Sequence, residues 1–120
     1  MPKCLTAALV LAFALTSGAI LAQQEARQHT WDGIERIVAV GDVHGDHGQF
    51  LKTLFAAKVI DQGTHWIGGK THLMQTGDLF DRGPDSRKAM DLLMRLEVEA
   101  KKAGGHVHCL VGNHEEMVLR

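Results

Sequence analysis

The sequence predicts a layered α/β fold, a sheet flanked by helices. Short β-branched or apolar runs each end in a glycine and a polar residue, at Gly41-Asp42, Gly77-Asp78 and Gly112-Asn113. Segments with apolar residues at helical spacing lie between them, so strand and helix patterns alternate. The composition agrees: 45% of the 120 residues are apolar and 22% are charged, which suits a packed globular core. A net charge of −1, from 13 basic and 14 acidic side chains, excludes a polybasic nucleic-acid binder and an acidic disordered tail. The length holds one domain at most.

The first 22 residues carry Lys3, an apolar run from Leu5 to Leu15, a Thr16-Ser17-Gly18 interruption and Ala22. This is the three-part plan of a secretory signal peptide, and the run is short for a bilayer crossing of about 20 residues. Cleavage after Ala22 is therefore expected, giving a secreted or periplasmic protein with no stable membrane anchor. Cys109 is then the one remaining cysteine, so no internal disulfide forms. It lies in the apolar run Val107–Val111 and reads as a small buried hydrophobe rather than a reactive thiol. Residues 23–33 form a polar leader, expected to be loose through Trp31.

The folded part is expected over residues 34–120. Ile34, Ile37, Val38 and Val40 read as a strand buried on both faces. Phe50, Leu51, Leu54, Phe55 and Ala57 predict a helix after the Gly45–Gly48 loop. His65–Ile67 and Thr71–Thr76 flank Gly68-Gly69-Lys70 and predict two short strands joined by a hairpin-like turn. Pro84, Asp85 and Ser86 signal a helix start; the stripe Ala89, Met90, Leu93, Met94, Ala100 continues it to Gly104-Gly105. His106–Val111 predicts another buried strand, and a further helix is expected from Glu115. Right-handed crossovers would then place all three polar blocks beyond the carboxyl ends of strands, where ligands gather in such sheets.

Each block supports two readings. In Gly41-Asp42-Val43-His44-Gly45, Asp42 and His44 point the same way from an extended strand end, as two ligands of one metal would. A helix cap would use the same residues. Asp78, Asp81 and Arg82 supply hard oxygen ligands and a planar cation for phosphate oxygens, or an ordinary surface ion pair. Asn113 offers a carbonyl oxygen and His114 a transferable proton. Helix capping by Asn113, with Glu115 and Glu116 complementing the helix dipole, is the structural counterpart. His47 follows the first block and is placed near the pocket mouth, while His65, His72, His106 and His108 lack ligand-like spacing and read as structural or solvent-facing.

Jointly the blocks resemble the calcineurin-like metallophosphoesterase superfamily, whose signature is GDxHG, GDxxDRG and GNHE in that order. GDVHG, GDLFDRG and GNHE agree at every fixed position. Within the superfamily the chain is most similar to the phosphoprotein phosphatase branch and the bacterial Shewanella-like phosphatases, over Ile34 to Met117. The resemblance implies that Asp42 and His44 bind a first metal, that Asp78 bridges two, and that Asn113 binds the second and touches the phosphate. Arg82 would hold phosphate oxygens, while His114, oriented by Asp81, would protonate the leaving alcohol.

The implied cofactors are two divalent ions, manganese, iron or zinc, with a bridging hydroxide that attacks phosphorus. Paired metals suit that chemistry, because they polarise the phosphoryl group and clamp an in-line displacement. The implied function is a metal-dependent phosphomonoester or phosphoprotein phosphatase acting on a phosphorylated substrate, not on nucleic acid. A dinucleotide polyphosphate hydrolase and a catalytically inactive metal-binding domain are the alternatives. The family's further histidine ligands lie well downstream of GNHE. The calcineurin-like sheet is therefore expected to be truncated after the third motif, with strand and helix faces left uncovered.

Overall fold

The computed structural model describes residues 28–120; the expected signal segment 1–22 and the start of the leader lie outside the described residues. Three strands and three helices alternate: β1 (Ile37–Val40), α1 (His47–Ala56), β2 (His72–Gln75), α2 (Ser86–Ala103), β3 (His106–Cys109) and α3 (Asn113–Leu119). The strands form one sheet in the order β1-β2-β3, and both pairings are parallel. No described helix is long and apolar enough to cross a membrane.

Helix α1 begins where Asp46 accepts a hydrogen bond from the Gln49 amide, so the loop after β1 is also a helix cap. Helix α2 ends at Gly104, which adopts a left-handed conformation and closes the last turn. Leu73 on β2 packs with Phe50 and Leu54 of α1, Val59 and Ile60 of the following segment, and Leu92, Leu93 and Leu96 of α2. Both long helices thus cover the sheet face that carries Leu73. Gln75 is buried on β2 and satisfies itself locally: its side-chain carbonyl accepts from the Gly77 amide and its amide donates to the Gly77 carbonyl.

Several expectations are corrected. β1 is an edge strand with exposed Ile37 and Ala39, because only β2 has a neighbour on each side. The hairpin does not form: Trp66 makes an antiparallel bridge to Ile60, and β2 is occupied on both edges by parallel partners. β3 stops at Cys109, which is exposed, as are Leu110 and Val111, since β3 is the other edge of the sheet. The thiol lines an apolar groove with Met90, Leu93 and Met94; desolvation there and the nearby Glu97 raise its pKa. Met94 of the expected stripe is exposed, while Ala89, Leu93 and Ala100 are buried as expected, together with Leu92 and Leu96. Helix α3 starts at Asn113, two residues earlier than expected.

The sheet face away from the helices carries an unexpected cluster. Register places His72 opposite His106, with His108 on the same face, and the Nδ1 of His72 lies 3.0 Å from the Nε2 of His108. Trp31 packs edge-on against all three imidazoles, with centroid separations of 5.9, 5.7 and 4.6 Å. Trp31, expected to be loose, is therefore anchored on the sheet, and three histidines without sequence spacing are spatial neighbours. Burial, then the charges of His106 and His108, lower the His72 pKa; burial, then His106, lower that of His108.

Both rings thus stay neutral in the folded chain at pH values where an unfolded histidine, with its ordinary value of 6.5, takes up a proton. The unfolded state binds more protons as pH falls through that value, so stability conferred above it declines below it. Urea midpoints should be higher at pH 8 than at pH 5.5, and His72→Asn should shrink that difference; an unchanged difference would assign the dependence elsewhere.

Candidate metal centre

The site is built at the carboxyl ends of the three parallel strands, where three turns meet. The turn after β1 leans on the turn after β2: the Val43 and His44 amides both donate to the Asp78 carbonyl at 3.0 Å, and the Gly45 amide donates to that of Leu79 at 2.9 Å. Gly83 then reaches back, its amide donating to the His44 carbonyl at 2.7 Å. The approach requires glycine: a Cβ on Gly45 would lie 2.5 Å from the Gly83 carbonyl oxygen. The turns after β2 and β3 meet as closely, since a Cβ on Gly77 would lie 2.6 Å from the Gly112 nitrogen.

Four residues of these turns, His44, Asp78, Asp81 and Arg82, have positive φ (48°, 55°, 69° and 72°). Non-glycine residues in the left-handed region cost about 1–2 kcal/mol each. Hydrogen bonds over-determine these positions. The Glu115 carboxylate accepts from the amides of Asp78 and Leu79 at 2.7 Å, Gly112 at 2.8 Å and Phe80 at 3.0 Å. Burial pushes the Glu115 carboxyl up, but the four amides, led by that of Phe80, outweigh it and hold the pKa below the usual value. Glu115 also supplies one half of a capping box to Gly112, which has no side chain to return the other half.

The predicted site residues are largely brought together. One ligand atom each from His44, Asp78 and His114 lie within 4.8 Å of one another. The rings of His44 and His114 meet edge to face, 4.6 Å apart. Asp42 is exposed, and its carboxylate lies 3.5 Å from the Nε2 of His44, placing it beside the group rather than inside it. The Nδ1 of His44 faces the Phe80 carbonyl at 3.2 Å, which fixes the ring. Mixed imidazole and carboxylate donors at this separation suit a divalent transition metal.

Asp81 is exposed and lies 3.0 Å from the Nδ1 of buried His114. Its pKa is lowered, first by the hydrogen bond from the Arg82 amide and then by His114. The same carboxylate thus shapes the Arg82 turn and orients the imidazole. Among the described residues the Arg82 guanidinium has no hydrogen-bond partner and stands in solvent. Asn113 is exposed at the start of α3, beside the cluster in sequence. His47 is the first residue of α1 and lines a shallow depression with Lys88 and Arg95, whose lining includes none of the candidate ligands. Glu115 closes the GNHE motif, but its hydrogen-bonded setting is not read from the sequence. Its position in an apolar-poor helix start reads as dipole complement, and no local pattern reveals four amides converging from two turns.

Comparisons with known proteins agree with this geometry. The calcineurin-like phosphoesterase family model matches residues 35–120. The chain is 40% identical over 95 residues to Shewanella-like protein phosphatase 2 of Arabidopsis thaliana, covering 79% of this chain and 24% of that protein. It is 38% identical over 89 residues to Shewanella-like protein phosphatase 1 of Plasmodium berghei, covering 74% and 24%. Among solved structures it resembles the cold-active protein-tyrosine phosphatase of a psychrophile Shewanella species, with a TM-score of 0.70 and 44% identity over 72% of this chain and 26% of that one. The chain spans about a quarter of the length of these relatives. A match across nearly all the described residues, on a sheet whose strand ends gather the matching motifs, makes this chain a member of the calcineurin-like phosphoesterase family.

Proposed function

We propose that the protein is a metal-dependent phosphatase acting on phosphomonoesters, phosphoproteins among them. The observation that carries this reading is the juxtaposition of candidate metal donors with an imidazole held by a carboxylate: ligand atoms of His44 and Asp78 lie within 4.8 Å of a ring nitrogen of His114, whose Nδ1 faces Asp81 at 3.0 Å. Asp42, His44, Asp78 and Asn113 would hold two divalent ions, with manganese, iron and zinc all compatible with these donors. When bound, such ions polarise a phosphoryl group and acidify an attacking water.

The remaining work falls to the chain's own side chains. Arg82, exposed and without a side-chain hydrogen bond among the described residues, would clamp two phosphate oxygens through its planar fork. Asp81 accepts from the Nδ1–H of His114, which leaves Nε2 to carry the proton given to the leaving alcohol. Asn113 at the first turn of α3 would contact the phosphate as well as a metal. No side-chain nucleophile is required. The phosphatase names of the relatives support the reading of a phosphorylated substrate.

The test compares hydrolysis of a phosphopeptide with that of diadenosine tetraphosphate, with added manganese and after chelation. Phosphopeptide turnover that chelation abolishes is expected. Clear preference for the dinucleotide would replace this reading with a polyphosphate hydrolase, and metal uptake without hydrolysis would replace it with an inactive metal-binding domain.

A second measurement addresses the proton. His114→Asn should slow turnover of alkyl phosphates by about 10²–10⁴-fold and of activated aryl phosphates much less, because only the former need a general acid. Equal losses on both would remove that role from His114.

We also propose a secreted or periplasmic location, supported by Lys3, the apolar run Leu5–Leu15 and Ala22. The protein recovered from its cells should begin at Gln23; a retained N-terminal segment would overturn cleavage.

A further inference from the structure

We propose that Glu115 is a positioning residue for the metal centre, one that assembles Asp78 against Asn113 and His114 before any ion binds. The inference rests on the reading that Asp78 is a metal ligand. Its basis is the distribution of donors around one buried carboxylate. Three come from consecutive amides of the turn after β2, at Asp78, Leu79 and Phe80, and the fourth from Gly112, the residue before Asn113. One oxygen takes Leu79 and Phe80; the other takes Asp78 and Gly112, so it joins the two turns directly.

The direction of Asp78 follows from this. Its backbone is left-handed, at φ 55°, and successive amides converge on the carboxylate as they do in anion-binding nests. With its amide so held, the Asp78 side chain crosses to α3, where its Oδ1 accepts from the His114 amide at 3.0 Å. Gly112 leaves room for that crossing, since a Cβ there would collide with the Asp78 carboxylate. The carboxylate of Glu115 faces backbone and not the ligand group, so its contribution to metal binding is geometric. A site pre-shaped in this way loses less freedom on binding.

The neutral isostere separates this from a purely structural role. Glu115→Gln keeps the shape but loses one acceptor oxygen and turns an amide group toward the converging N–H donors. Manganese binding, followed by calorimetry below the unfolding transition, should weaken by about 10- to 100-fold, the range seen when groups that orient ligands are removed. Ile60→Val, which trims the core away from the site, should lower the unfolding temperature while leaving manganese affinity unchanged. Wild-type affinity in folded Glu115→Gln would overturn the proposal and leave the phosphatase reading standing. Failure of the unaltered protein to bind manganese, or binding untouched by Asp78→Asn, would instead overturn the reading beneath it.

Amide hydrogen exchange in the unaltered, metal-free protein gives a test that needs no variant. The Asp78, Leu79, Phe80 and Gly112 amides should be protected before metal is added. Protection that arises only on adding manganese would show that the ion, and not Glu115, assembles the turns, and would overturn the proposal.

Discussion

Everything in this site depends on how closely three turns can pack at one end of a parallel sheet. Parallel strands bring their carboxyl ends to the same side, but strands about 4.8 Å apart do not by themselves bring the following turns into contact. Two glycine pairs do so here: Gly45 with Gly83, and Gly77 with Gly112. In each pair, any side chain would strike backbone atoms that cannot move independently. Gly45, Gly77, Gly83 and Gly112 are therefore packing requirements, whereas a Cβ on Gly41 would meet nothing within 4 Å, and the polar residues beside the packed glycines are the groups that this packing delivers to one place.

Close packing of turns carries two energetic burdens. Backbone amides are withdrawn from water, and several non-glycine residues are forced into left-handed conformations. Hydrogen bonding offsets the first: amides of the β1 turn go to carbonyls of the β2 turn, and amides of the β2 and β3 turns go to Glu115. The second is retained as fixed geometry at Asp78, Asp81 and Arg82. Strain of this kind persists only where surrounding contacts over-determine it, and it concentrates at functional sites. The result is a polar end of the sheet that is more rigid than its loop composition suggests.

The two faces of the sheet are unequal. One is covered by α1 and α2 and holds the apolar core through Leu73. The other carries three imidazoles under Trp31 and leaves Ile37 exposed; Leu110 beyond β3 and Met117, Val118 and Leu119 of α3 are exposed as well. Parallel sheets are usually buried on both faces. These apolar side chains stand open among the described residues.

Local sequence carried the α/β alternation, the positions of α1 and α2 and the stop of α2 at Gly104, and it nominated the candidate residues Asp42, His44, Asp78, Asp81, Arg82, Asn113 and His114. These were legible because caps, helical stripes and glycine-flanked polar blocks are local patterns. Tertiary structure alone decided which strand is central, and with it the loss of the hairpin, the exposure of Cys109 and the edge position of β1. Strand order arises from pairings between distant segments, which no local period encodes. It likewise gathered His72, His106 and His108, whose neighbourhood is a matter of cross-strand register. The hydrogen bonding of Glu115 was hidden for the same reason: a carboxylate's partners are set by where two turns meet, not by the residues beside it.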